Sequence, residues 1–207
     1  MHGAGTVCGM EGEPDARIAA FARKAQNVYE GVLADGEILR KFIVEKAYNG
    51  FVWGKLFRTA LVQKAYGEIP FTYCTMAEDL LLYFFIALTA SKFTDVPADG
   101  CTRSACTYIG IRDTVYNYRI NTGISSRRKI TDLASWQKVC SASSVFTIIL
   151  SYLDDHPAVG SDIREAVRDL GRSYYADNLK QLEVCVAPAL QAQARAMLEE
   201  WWGIHNL

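Results

Sequence analysis

Thr75-Met76-Ala77-Glu78-Asp79-Leu80-Leu81-Leu82 sets two adjacent carboxylates directly before the most apolar run of the chain. Thr75 followed three residues later by Glu78 has the form of a capping box, in which the threonine hydroxyl caps a helix and the glutamate reaches back to the cap's own N–H. Asp79 then falls in the first helical turn, where the helix's partial positive charge favours an ionised carboxylate. The run Leu80–Leu88 is nine apolar residues long, about half of the roughly 20 that span a bilayer, so it reads as a core helix. Two readings of the carboxylate pair stay open at this level: structural caps of a buried helix, or groups presented to a substrate at its mouth.

Upstream, Pro14-Asp15 opens a helical pattern whose apolar positions Ile18, Phe21, Ala25, Val28 and Val32 form one stripe. A second amphipathic segment follows through Ile38, Leu39, Phe42 and Ile43. Phe51-Val52-Trp53-Gly54-Lys55-Leu56-Phe57, bounded by Asn49-Gly50, suits a short buried strand with Lys55 as its one charge. Arg58 to Tyr66 reads as a short helix ending at Gly67, and Lys92 to Val96 as a strand stopped by Pro97. Downstream, Ala98 to Cys106 is a loop, and Thr107 to Ile120 is strand or hairpin with Gly110 and Asp113 as its irregularities.

Beyond about Thr131 every pattern is helical. Leu133, Trp136, Cys140, Ser143, Phe146, Leu150 and Leu153 share one face, and His156-Pro157 ends it. Ser161-Asp162 caps the next helix, with Ile163, Val167, Leu170 and Tyr174 as its stripe, and Pro188 opens a last helix through Leu190, Met197, Leu198 and Trp201. The expected architecture is therefore mixed, helix-rich α/β over residues 1–128, followed by a helical tail over 129–207. Exposed stripes on that tail fit folding back or pairing with a second copy.

The composition narrows the function classes. The chain has 207 residues, half of them hydrophobic, and a net charge of −1, with the two signs interspersed, so no field steers it toward nucleic acid. Arg127-Arg128-Lys129 is the single basic run. Six cysteines at 8, 74, 101, 106, 140 and 185 form no Cys-x-x-Cys pair and none lies near a histidine at ligand spacing, which argues against a zinc site. The first residues lack a basic segment followed by an apolar core, and the expected location is a reducing cytoplasm. No Gly-x-Ser-x-Gly elbow, phosphate-binding glycine loop or dinucleotide fingerprint occurs. His156 and His205 stand isolated, so a nucleophilic Cys–His pair has no support.

What remains is an ordered set: Trp53-Gly-Lys55-Leu56-Phe57-Arg58, Ala77-Glu78-Asp79-Leu80-Leu81, Val115-Tyr116-Asn-Tyr118-Arg119 and Gly123-Ile-Ser125. In order and spacing, over about residues 37 to 130, this set resembles the second half of a family 2 glycosyltransferase of the GT-A fold. The nearest subgroup is the bacterial enzymes that build cell-surface polysaccharides or glycosylate wall components. The resemblance implies inverting transfer of a sugar from a nucleotide-sugar to an acceptor hydroxyl. Asp79 would be the general base, with Glu78 positioning it or the acceptor. Lys55, Trp53, Tyr118, Arg119 and Ser125 would line the acceptor or phosphate side. In a complete enzyme of this kind a magnesium or manganese ion neutralises the departing diphosphate.

The chain departs from that family in one respect. A complete enzyme places a nucleotide-binding half with an Asp-x-Asp motif ahead of the Glu-Asp pair; this sequence has no Asp-x-Asp, and only 77 residues precede Glu78. The expectation is thus an acceptor-side portion of a GT-A-like domain, lacking the donor half and its metal, inactive alone, from a truncated or divergent enzyme. The competing expectation is a non-catalytic helical interaction or regulatory module that keeps these motifs as packing elements.

Overall fold

Why helices form where they do is clearest at α4, Glu78–Ala90, a run of leucine, phenylalanine and alanine with acidic residues only in its first turn. Phe84 and Phe85 are fully buried there. The computed structural model describes residues 2–8, 16–90, 94–95, 103–104, 107–119 and 129–203. The chain is mixed α/β and rich in helix, and it divides into two compact units: Met1–Ile69 with Leu82–Ile120, and Pro70–Leu81 with Asn121–Leu207.

The mixed unit contains β1 (His2–Cys8), α1 (Ala16–Ala25), β2 (Gly31–Ala34), α2 (Gly36–Ile43), α3 (Thr59–Gly67), most of α4, the two-residue strands β3 (Thr94–Asp95) and β4 (Arg103–Ser104), and β5 (Thr107–Arg119). Its sheet has the order β1-β5-β2, β1 parallel and β2 antiparallel to β5, while β3 pairs antiparallel with β4. β5 is one continuous 13-residue strand, so neither Gly110 nor Asp113 breaks it. Gly110 has another role. A Cβ there would strike the backbone carbonyl of Tyr29, so only glycine lets that chain pass.

Three stretches of the mixed unit depart from the sequence expectation; Arg103–Ser104, expected within a loop, forms β4. The Ile18-to-Val32 stripe is not one helix: α1 stops at Ala25, and Val32 lies in β2. The stop comes from a distant residue. The buried Asn49 side chain donates to Ala25 O and Asn27 O, both at 3.0 Å, taking carbonyls that a longer helix would have used. Residues 51–57 are likewise not a strand. They turn through Gly54 at φ 73°, because Lys55 Nζ folds back to donate to Phe51 O and, at 3.0 Å, to Asn49 Oδ1. That closes the segment on itself.

The helical unit holds α5 (Leu133–Cys140), α6 (Ala142–Asp155), α7 (Ser161–Cys185) and α8 (Gln191–Trp202), with single 3-10 turns at Pro157–Val159 and Pro188–Leu190. Four helices stand where three patterns were read, since the first stripe is divided at Ser141. Asp132 caps α5, accepting from the Ser135 N–H at 2.7 Å and from its hydroxyl at 2.9 Å. Ser161 does not cap α7; it is the helix's first residue, preceded by Gly160 at φ 121°. Trp136, completely buried, donates from Nε1 to Ala194 O at 2.8 Å. Trp202, the buried member of the terminal tryptophan pair, donates to Asn178 Oδ1 at 3.1 Å. Leu133–Asp155 is apolar and long enough to cross a membrane by composition, and half of its most apolar window is buried within the protein, as in a core helix.

Candidate functional site

The first turn of α4 begins at Glu78, two residues later than a capping box headed by Thr75 requires. Thr75 therefore does not cap it: its hydroxyl reaches Lys138 O at 3.4 Å and lies 3.3 Å from Ser141 Oγ, and its N–H donates to Ser141 Oγ at 3.1 Å. The threonine pins the 70–81 segment to the end of α5. The residue before Glu78 is Ala77 with φ 62°, a left-handed conformation that costs a non-glycine residue of order 1 kcal/mol or more. This strain aims the chain so that both carboxylates enter the helix in its first turn, where the helix dipole favours their charge.

Glu78 is exposed and Asp79 half-buried, so neither is sealed in the core. Their neighbour is Tyr174 of α7. Burial first, then the charges of Asp177, Asp79 and Glu78, push its phenol up to about 12. It is a neutral hydroxyl at any physiological pH, set in an acidic surrounding. Cys74, whose thiol contacts Met76 O at 3.1 Å, is pushed up to about 11 by burial and by Glu78. It stays a thiol and is no nucleophile. The sequence marks Tyr174 as part of a helix stripe about 100 residues away and not as a partner of the pair; only the packing of the helical unit brings it there.

The other sequence-named residues lie in the mixed unit. Lys55 Nζ sits 4.8 Å from the centre of the Tyr83 ring, a cation–π distance. Trp53 stacks on Phe51 with ring centres 4.7 Å apart and planes 14° from parallel. Tyr118 and Arg119 are on β5, opposite Val7 and Cys8 of β1. Ser125 lies outside the described residues, as do Arg127 and Arg128 of the basic run and His205.

Around Lys55 the unit forms a half-open cleft of about 430 Å³. Ile38, Leu61, Ile86 and Ala87 form aliphatic wall, with Tyr83 and Tyr108 beside them. The phenols belong to a ring cluster: Tyr48 stacks on Tyr108 at 4.6 Å and meets Tyr83 edge-on at 6.0 Å. Tyr48 donates to Ile38 O at 2.6 Å and Tyr108 to Tyr29 O at 3.3 Å. Burial drives the Tyr48, Tyr83 and Tyr108 phenols upward, so all three stay neutral. The sequence named Lys55 but not this chamber, whose walls come from five separate stretches of chain.

Among the described residues no three His, Cys, Asp or Glu side chains converge as a metal site. The described residues therefore supply no ready donor set for the magnesium or manganese that a complete sugar-nucleotide transferase would carry. Comparisons with protein-family models, curated proteins and solved structures find no match to this chain.

Proposed function

We propose that the chain is the acceptor-side part of an inverting, sugar-nucleotide-dependent glycosyltransferase acting in the cytoplasm on a cell-surface polysaccharide or wall precursor. The observation that carries this reading is the placement of Glu78 and Asp79: adjacent, reachable by solvent, and held in the first turn of an otherwise buried helix by a strained Ala77. The ordered motifs around them supply the reaction class.

In this reading the acceptor hydroxyl attacks the anomeric carbon of the donor sugar from the face opposite the leaving group. The new C–O bond forms as the bond to the nucleotide diphosphate breaks, and the diphosphate departs with the electron pair. The hydroxyl proton passes to the Asp79 carboxylate, a transfer that a positioned base accelerates about 10²–10⁴-fold. Glu78 accepts a hydrogen bond from a second acceptor hydroxyl and fixes its orientation. Tyr174, kept neutral, excludes water from the inner side of the pair and raises the cost of leaving a carboxylate without a donor.

The test is saccharide binding by the purified chain, read by NMR across a panel of mono- and oligosaccharide acceptors. Shifts confined to the amides of residues 75–82 and 174–178, lost in Asp79→Asn, are expected. Nucleotide-sugars with manganese should leave the spectrum unchanged. A spectrum that no saccharide perturbs would remove the acceptor reading, and micromolar metal-dependent nucleotide-sugar binding would show a donor site within this chain.

A further inference from the structure

The geometry points to a second ligand site: the Lys55 cavity of the mixed unit binds a single-chain anionic amphiphile, its alkyl chain in the aliphatic chamber and its acid head at Lys55 and Arg58. The volume is the first argument. A half-open cleft of about 430 Å³ lies in the range of small-molecule sites. At the ~30 Å³ that one water occupies, it takes about a dozen carbon atoms. The wall is the second argument, since Ile38, Leu61, Ile86 and Ala87 present methyl and methylene groups to the space.

Charge chooses the head group. The lining contains two cations, Lys55 and Arg58, and no carboxylate. The three nearby phenols remain neutral and add no negative charge. An alkylammonium would meet like charge there, and a neutral alcohol would gain nothing from it. Leu56 and Ile109, lining residues that are 73% and 47% exposed, mark where the chamber opens, so a chain can enter without unfolding the unit. This inference stands apart from the saccharide reading, which concerns groups of the helical unit.

The experiment titrates the full chain with dodecanoate, dodecyl phosphate, dodecanol, dodecylammonium and butyrate, each below its micelle-forming concentration, by calorimetry. Saturable one-to-one binding of dodecanoate is expected, about tenfold or more tighter than dodecylammonium, with butyrate too short to bind. Dodecyl phosphate against dodecanoate then separates a lipid phosphate from a fatty acid as the source of the head. Arg58→Glu, at an exposed position that should not disturb folding, is expected to weaken dodecanoate about tenfold and leave dodecanol unchanged. Ala87→Phe, which fills the chamber, should abolish binding of both while circular dichroism remains native. Equal affinity for dodecanoate and dodecylammonium, binding indifferent to Ala87→Phe in a folded variant, or no saturable binding would each overturn the proposal. So would a dimer in sedimentation that Ala87→Phe dissociates, since a second copy would then be the occupant.

Discussion

The two units solve the same burial problem in opposite ways. The helical unit buries two indoles and gives each of them an acceptor, Trp136 on the Ala194 carbonyl and Trp202 on the Asn178 side chain; Glu78 and Asp79 stand outside this core. The mixed unit instead builds an aromatic cluster of Phe42, Tyr48, Tyr83 and Tyr108 and leaves a chamber beside it. Density in one and space in the other suggest different work: presenting carboxylates at a surface, and enclosing an apolar ligand. The contrast also predicts which unit yields first to a given insult.

Alkaline pH should produce the largest effect, and it should fall on the mixed unit. A buried phenol whose folded pKa lies above the unfolded value near 10 keeps a proton that the unfolded chain sheds. Its stabilisation is therefore complete below pH 10 and lost as pH rises through the folded value. Three such phenols, Tyr48, Tyr83 and Tyr108, lie in the mixed unit, and Tyr174, at about 12, in the helical one. Tyrosinate absorbance followed with circular dichroism above pH 10 should show the sheet signal lost together with only part of the helix signal, the rest of the helix going later. The reverse order would break the contrast.

Trp136→Ala comes next. Removing a completely buried indole and its hydrogen bond should cost the helical unit about 3–5 kcal/mol, measured by urea unfolding. Asp79→Asn follows at the level of chemistry: in a transfer-competent enzyme carrying this segment, the rate should fall about 100-fold while thermal stability stays the same or rises. A variant with unchanged rate would make the carboxylate a packing element.

A paired insertion sharpens the comparison at smaller scale. Ala194→Leu, in the dense unit where residue 194 is 0% exposed, should cost about 1–3 kcal/mol by overpacking. Ala87→Leu, beside the chamber, should cost less than about 1 kcal/mol. Asp132→Ala, where loss of the α5 cap should cost about 1 kcal/mol, is expected to fall between the two, again by urea unfolding.

Local chemistry was legible where it acts locally. Leucine and phenylalanine runs announced α4, the amphipathic spacing of Ile38, Leu39, Phe42 and Ile43 announced α2, and His156-Pro157 ended α6, because apolar periodicity and backbone restriction operate within one or two turns. The adjacent carboxylates at 78 and 79 and the charge of Lys55 were visible for the same reason. Burial followed periodicity less faithfully: Trp201 fitted the stripe of the last helix, yet Trp202 is the buried residue, since which face of a helix is covered depends on its neighbours.

Three decisions needed the tertiary structure. Asn49 ends α1 from 24 residues away, overriding a stripe that runs on to Val32. Ser141, 66 residues from Thr75, accepts the bond that holds the 70–81 segment and so takes the capping threonine away from its expected role. Tyr174 comes near Glu78 and Asp79 only because α7 packs where it does. The sequence by itself determined which residues carry charge and which segments favour helix or strand, through forces that reach a few residues. Where those segments stop, and which distant side chains meet, was decided by hydrogen bonds and packing that exist only once the chain has folded, because a buried polar group must find a partner wherever the fold brings one.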